Sequence, residues 1–257
     1  MIHRGTDIKA ALRSRQRGFL LNPFRFSGGS GGTTPASLPG LSGWYDASAA
    51  AARTVVSGKI SQWDDLSGNG NHATQPTSGS RYTLAAASVN GLDAFTGARS
   101  AQMGISEIAG LSSAGAYFFC VGGAVAETPF VAAMGSFDKS LALDLAPGGS
   151  MYAWGDGAGN YITMAGIGAA TSDGSINAFA ICSSSSGSSS TAAFNAARYT
   201  GGALPGVLSI NGITNYTQGG DYTLNGTICE IFFGAAHLTT EQINGAMDYL
   251  KAKWGTP

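Results

Sequence analysis

The sequence predicts an all-β body closed by one C-terminal helix and preceded by an extended or short-helical anchor arm. Three observations carry that prediction. Charged residues are 11% of the 257, against roughly 25% in an average soluble protein, and the 39 glycines are about twice the usual share of about 7%. Short apolar runs, rich in β-branched and aromatic residues, recur between Gly, Asn, Ser and Pro punctuation. Sustained helical spacing over an apolar stripe is strongest at the C-terminal end of the chain.

The arm, residues 1–27, carries Arg4, Lys9, Arg13, Arg15, Arg17 and Arg25 against Asp7, a charge of +5. The eight basic and fourteen acidic residues that remain leave the body at −6. "GTDIKAALRSRQRG" reads as a short helix with Asp7 as its cap, Ile8, Ala11 and Leu12 as its stripe, and Gly18 as its stop. In "FLLNPFRF" the proline pushes Asn22 toward an extended conformation. A basic tail on an acidic body docks on something else. Arginines neutralise phosphates, but arginines interleaved with aromatic and aliphatic side chains suit a protein surface. The expected anchoring residues are Arg13, Arg15, Arg17, Phe19, Leu20, Leu21, Phe24, Arg25 and Phe26, with a protein partner preferred over nucleic acid. Residues 28–40 have linker composition, and the body is expected over 41–257.

Within the body, "GWYDAS", "ARTVVSGKISQWDD", "AGAYFFCVGGAVA", "TPFVAAMGS", "KSLALDLA", "SMYAWG", "NYITMAG", "INAFAICSS", "TAAFNAARYT" and "NGTICEIFFGAA" all read as strand-forming. "VLSINGITNY" predicts a hairpin turning at Asn211-Gly212, and Asn90-Gly91 and Asn225-Gly226 repeat that turn chemistry. The serine run Ser183–Ser190 is expected to be a loop joining two strands. In "HLTTEQINGAMDYLKAKWG", Thr239 and Gln242 fit a capping box. Ile243, Ala246, Met247, Leu250 and Trp254 then form the apolar face, and Gly245 costs about 1 kcal/mol against alanine.

Several chemistries are excluded or narrowed. Three cysteines, Cys120, Cys182 and Cys229, cannot pair completely, and their apolar surroundings suit buried thiols. His3, His72 and His237 give no zinc spacing. No run of 18 apolar residues predicts a membrane span. "GFLLNPF" is too short for a secretion signal, so synthesis in a cytoplasm is expected. No nucleophile elbow, phosphate loop or dinucleotide fingerprint is present. Retaining glycoside hydrolysis needs carboxyls about 5–5.5 Å apart, whereas Asp138 and Asp144 on one strand would lie roughly 20 Å apart.

Two binding sites remain. "QWDDLSGNGN" opens like a calcium loop, but the twelfth position counted from Asp65, where an EF-hand needs a bidentate acid, is Pro76. A lectin-type calcium site using Asp64, Asp65 and Asn69 stays open beside a structural turn, in which Asp and Asn side chains bond nearby backbone N–H groups. No other cofactor is implied. "MYAWGDGAGNYITM" offers Trp154, Asp156, Asn160 and Tyr161 around a glycine-rich loop. Sugar faces stack on rings and their hydroxyls need polar partners, so this is the expected carbohydrate contact, with a packing role for Trp154 as the alternative.

"GLSGWYDAS", "ISQWDDLSGNGNHATQP", "VNGLDAFTG" and "GTICEIFFGAAHLTTEQINGAMDYLKAKWG" together resemble the laminin-G-like members of the concanavalin A-like lectin/glucanase superfamily. The resemblance implies a jelly-roll β-sandwich over roughly residues 41–255, with Trp44, Trp63 and Trp254 in its framework. Phe95-Thr96-Gly97 stands where members often carry Phe-Asp-Gly. The arm and spacer are similar to the starts of structural proteins of tailed bacteriophages. The function expected from both resemblances is a non-enzymatic virion protein, a capsid decoration, head spike or tail fibre. It would be a homo-oligomer or present in many copies in an assembly, assembled in the host cytoplasm, anchored to other virion proteins by its arm, and would meet a host cell-surface glycan. The alternatives are a free bacterial carbohydrate-binding module and a polysaccharide depolymerase.

Overall fold

The computed structural model describes residues 32–98, 100–112, 115–124, 142–146, 150–156, 160–164, 174–184, 189–202, 207–213 and 225–257. The expected N-terminal helix, the anchoring residues from Arg13 to Phe26 and the run "TPFVAAMGS" lie outside the described residues. The chain divides into two units between Gly32 and Thr33, and the architecture that follows is that of Thr33–Pro257.

Strands β1 (Leu41–Asp46), β2 (Arg53–Val56), β3 (Lys59–Trp63) and β4 (Ala73–Thr74) open the body. Next come β5 (Thr83–Val89), β6 (Leu92–Gly97), β7 (Met103–Ser112) and β8 (Tyr117–Ala124). A separate antiparallel sheet of three strands holds β9 (Ala142–Ala146), β10 (Ser150–Asp156) and β11 (Asn160–Met164). The remaining strands are β12 (Asn177–Ser183), β13 (Ser190–Phe194), β14 (Ala197–Gly201), β15 (Val207–Ile213) and β16 (Gly226–Gly234), and helix α1 spans Thr240–Trp254. The fold is mostly β, with a single α-helix among the described residues.

The large sheet runs β14-β13-β12-β8-β16-β6-β5-β3-β4-β7-β15, with β1 also on β16 and β2 on β3. Its core shows that it folds over on itself. Met103, Ile105, Ile210 and Ile213, from β7 and β15, share one buried cluster with Phe118, Phe179, Ile181, Phe194 and Phe233. In a flat sheet β7 and β12 would stand roughly 30 Å apart at about 4.8 Å per strand. One uncovered face of such a sheet could not bury residues from both of its ends to 0–9% exposure, so the two ends face each other as layers. Trp63 packs edge-on against Phe95 at 4.6 Å and Tyr45 at 5.6 Å between ring centroids, inside that interlayer core.

Helix α1 lies on the outer face of one layer. Strand β12 is buried at every position because both of its faces are covered. Phe179 and Ile181 enter the interlayer cluster, while Ala178, Ala180 and Cys182 face Ile243, Met247 and Leu250 of α1. Small side chains on the helix-facing side let the two elements approach closely, which explains why β12 shows no polar alternation.

The capping box expected at the helix start is present. Gln242 N–H donates to Thr239 Oγ1 at 3.3 Å, and Thr239 N–H donates to Gln242 Oε1 at 2.9 Å. Gly255, in the left-handed region at φ 68°, ends the helix. Gly245 has a packing reason: a Cβ there would stand 2.3 Å from Thr33 Oγ1. The segment before β1 therefore belongs to the packed body, with Leu38 in the helix-side cluster and Tyr117 OH donating to Pro39 O at 3.1 Å.

The turns divide. Asn90 and Gly91 both take positive φ, 49° and 75°, and join β5 to β6 as Asn-Gly chemistry predicts. Ser57 and Gly58, also at positive φ, split "ARTVVSGKISQW" into the β2–β3 hairpin. Ser183 and Ser190 are register partners closing β12 onto β13. Asn211-Gly212 is not a turn. It lies inside β15, where Gly212 pairs with Gly104 of β7 across a register shift. Ile210 and Ile213 are both in the interlayer core, and burying them on a continuous strand outweighs the local turn preference. Asn225-Gly226 likewise leads directly into β16, where Gly226 pairs with Gly97 and Ala124.

Candidate functional site

The "QWDDLSGNGN" stretch ends β3 and returns to β4, and its polar side chains are spent on the framework. Asp65 Oδ1 accepts from the N–H groups of Trp44 (3.0 Å) and Ser67 (2.8 Å). Its Oδ2 accepts from Ser67 Oγ (2.8 Å) and Asn71 N–H (3.1 Å). Asn69 Nδ2 donates to Leu41 O and Asn71 Nδ2 donates to Ser42 O, both at 2.9 Å. Tyr45 OH donates to Asn71 O. Gly68 and Gly70 supply the positive φ, 87° and 76°, that lets the loop fold back on β1. The turn is a brace between β1 and the β3–β4 connection.

Asp64 sits apart from this brace. Its Oδ1 accepts from Gln62 Nε2 at 2.6 Å and lies 3.2 Å from His72 Nδ1. That nitrogen also accepts the Asp65 N–H at 3.2 Å. Among the described residues no group of three His, Cys, Asp or Glu side chains is placed to hold a metal ion.

Sequence reasoning passed over the densest cluster of charged and hydrogen-bonded side chains among the described residues. Asp46 of β1 and Glu230 of β16 are register partners, and Lys253 of α1 bridges them. Lys253 Nζ donates to Asp46 Oδ2 at 2.6 Å and to Glu230 Oε2 at 2.8 Å. Glu230 Oε1 also accepts from Trp44 Nε1 (2.7 Å) and Tyr249 OH (2.9 Å), and Oε2 accepts from Trp254 Nε1 (2.6 Å). Asp46 Oδ1 accepts from the Ser48 N–H and hydroxyl at 2.9 and 2.6 Å. Burial raises the Glu230 carboxyl above its ordinary value, and the adjacent Lys253 charge opposes that rise.

The two carboxyls come within about 5.5 Å of each other, the spacing of a retaining glycosidase pair, yet they cannot serve as one. Glu230 is 0% exposed, both of its oxygens are taken, and α1 seals the cluster. Its role is to fasten the helix to the sheet. The sequence signal was available: a lone glutamate in the middle of the apolar run "TICEIFF" marks a buried charge that needs partners. The three cysteines are also buried, and desolvation raises each thiol above its ordinary range.

The expected carbohydrate contact falls on the small sheet. Trp154 of β10 and Tyr161 of β11 are register partners, as are Asp156 and Asn160, with an irregularity between the two pairs. The four residues thus occupy neighbouring positions at the end of one antiparallel hairpin, whose connecting residues 157–159 lie outside the described set.

No protein-family profile and no curated sequence matches the chain. Solved structures do. Domain 4 of AbnA, a GH43 extracellular arabinanase from Geobacillus stearothermophilus, solved in complex with arabinotriose, is similar with a TM-score of 0.56 at 14% identity. That likeness covers 80% of this chain and 98% of that one. A GH54 α-L-arabinofuranosidase soaked with a cyclic sulfate inhibitor has a TM-score of 0.51 at 14% identity. An arabinofuranosidase complexed with arabinofuranosyl-α-1,2-xylobiose has 0.50, also at 14%. Each of these last two covers 76% of this chain, which spans about half of theirs, 51%. At such identities the likeness is one of fold.

Two expectations are corrected by it. The chain was expected to be a non-enzymatic virion protein for adhesion and, accordingly, not an enzyme. The fold is instead one that these arabinanase and arabinofuranosidase structures carry.

Proposed function

We propose that the Thr33–Pro257 body is a carbohydrate-active sandwich of the glycoside hydrolase kind, directed at arabinofuranosyl-containing glycans. One observation carries the proposal: the likeness to the arabinanase domain takes in nearly the whole of that domain, 98%, and that domain was solved with arabinotriose. The arabinofuranosidase structures point to the same sugar class. The finer fold is a jelly roll of the concanavalin A-like, laminin-G-like type. The "QWDDLSGNGN" brace and the closing helix with "YLKAKWG" support that assignment.

The proposed glycan contact is the β10–β11 end, with Trp154 and Tyr161 as stacking rings and Asp156 and Asn160 as hydroxyl partners. Two aromatic and two polar residues at adjacent register positions match what a sugar needs, rings for its faces and hydrogen-bonding groups for its edge. The Asp46–Glu230 pair is not offered as the hydrolytic pair, because it is neutralised by Lys253 and shut from solvent.

The test is direct. The full chain is run through native gels containing arabinan and incubated with arabinan and 4-nitrophenyl α-L-arabinofuranoside. Arabinan is expected to retard the chain, W154A to abolish the retardation, and reducing ends or nitrophenol to be released. Absence of both retardation and release overturns the proposal.

A further inference from the structure

The chain holds five Asn-Gly pairs, at Asn69, Asn90, Asn211, Asn225 and Asn244. In such a pair the glycine nitrogen can attack the asparagine side-chain amide carbon, because no Cβ on the glycine obstructs the approach. The attack needs a glycine N–H outside regular structure and a chain that can turn at the asparagine. The fold separates the five on that ground.

Three are held in regular structure. Gly245 lies within α1, where its N–H donates along the helix, and Asn244 Oδ1 is itself taken by Arg198. Gly212 pairs with Gly104 inside β15, and Gly226 pairs with Gly97 on one side and Ala124 on the other. Asn69 is in a loop, but its Nδ2 donates to Leu41 O, Ser42 O and Ser67 Oγ. Just beyond Gly70, the Asn71 N–H is bound to Asp65. Asn90-Gly91 differs. Both residues are exposed, the β5–β6 ladder ends at Val89 and Leu92, and a Cβ on Gly91 would meet nothing within 4 Å.

A second observation gives this turn a consequence. Asn90 Nδ2 donates to Lys253 O at 2.9 Å, one of the last carbonyls of α1, which lack partners within the helix. The Asn90 amide carbon lies over the helix end, where a Cβ on Gly255 would stand 3.3 Å from it. The β5–β6 turn thus caps a helix that is remote in sequence.

We infer that Asn90 is a self-modification site, where deamidation uncaps the C-terminal end of α1. The Gly91 nitrogen bonds to Asn90 Cγ, the Cγ–Nδ2 bond breaks, and the amide nitrogen leaves as ammonia with the proton from Gly91. Solvent water then opens the cyclic imide, at one carbonyl to aspartate and at the other to isoaspartate. Either product carries a carboxylate in place of the amide. The donor to Lys253 O is lost, and a negative charge stands at the negative end of the helix dipole. Isoaspartate also lengthens the main chain of a two-residue turn whose geometry sets the strand register.

The full chain is held in warm, mildly alkaline buffer, folded or in urea, and digested for site-resolved mass spectrometry. In the folded chain Asn90 should convert at least about tenfold faster than Asn211, Asn225 and Asn244, where attack requires a strand or helix to open, and faster than Asn69. In urea the five should react at comparable rates, since the fold no longer distinguishes them. N90D, the product made directly, should melt about 2–4 °C below the wild type, with part of the loss regained in high salt. Aspartate tolerates the positive φ of this turn as asparagine does, so backbone strain does not explain such a loss. Asn90 converting no faster than the other four in the folded chain overturns the modification site. N90D melting with the wild type overturns the uncapping.

Discussion

Replacing Lys253 with methionine tests the fastening of the helix to the sheet. The substitution keeps the length of the side chain and removes the ammonium, which bonds Asp46 at 2.6 Å, Glu230 at 2.8 Å and the Tyr249 hydroxyl at 3.1 Å. It also lies 5.1 Å from the Trp254 ring centroid. The side chains of Lys253, Asp46 and Glu230 are 12%, 10% and 0% exposed, so solvent screens little of what is lost. Two carboxylates would be left facing each other without a counter-charge. Removing one partner from a buried ion pair costs about 3–5 kcal/mol, and a loss in that range is expected at pH 7 by urea unfolding.

The sign of the pH response gives a second readout. Glu230 has a folded carboxyl value raised by burial, so it holds its proton more tightly folded than unfolded. That contribution to stability is complete below the unfolded carboxyl range, about 4.3, and is lost as pH rises through the raised folded value. Without Lys253 the value rises further, so K253M should regain stability relative to the wild type as pH falls from 7 toward about 4.5. A loss below about 1 kcal/mol at pH 7, the scale of an exposed pair, would refute the reasoning, as would a loss that does not shrink on acidification.

Other perturbations follow from the same geometry. G245A should lower stability by about 1–3 kcal/mol by thermal melting although alanine is the better helix former, because its Cβ would meet Thr33 Oγ1 at 2.3 Å; a gain in melting temperature would refute the packing reason. D65A should cost about 2–4 kcal/mol by urea unfolding, since it orphans the Trp44, Ser67 and Asn71 N–H groups together. Millimolar calcium should leave the wild-type melting temperature unchanged, because both Asp65 oxygens are occupied by internal donors; a rise of several degrees would establish a metal site there.

Local chemistry was legible wherever a few adjacent residues decide the outcome. The capping box at Thr239 and Gln242, the turn at Asn90-Gly91 and the closure of β12 onto β13 across the serine run need nothing beyond their neighbours. The failures share one cause. Asn211-Gly212 has the same turn chemistry as Asn90-Gly91, but Ile210 and Ile213 are claimed by the interlayer core and hold the segment in β15. Gly245 reads as a defect until Thr33, far away in sequence, is found against it. The Asp46–Glu230 pair was invisible as a pair because strand pairing between the two ends of the body creates it. The functional expectation went astray in a related way: arm composition and family strings were read as an architectural role, while the folded body is shared with glycoside hydrolases.

By itself the sequence determined the class of the body, mostly strands with one capped helix at the end, because strand propensity, turn residues and helix caps act over a few residues. It also determined that the cysteines would be interior, because the runs that hold them are apolar. Tertiary structure alone decided which charges meet and what "QWDDLSGNGN" does with its polar groups. Those outcomes depend on distances between segments remote in the chain, and burial makes each of them energetically large. A carboxylate that would be a minor feature in water becomes, under α1, a group whose partners the fold must supply.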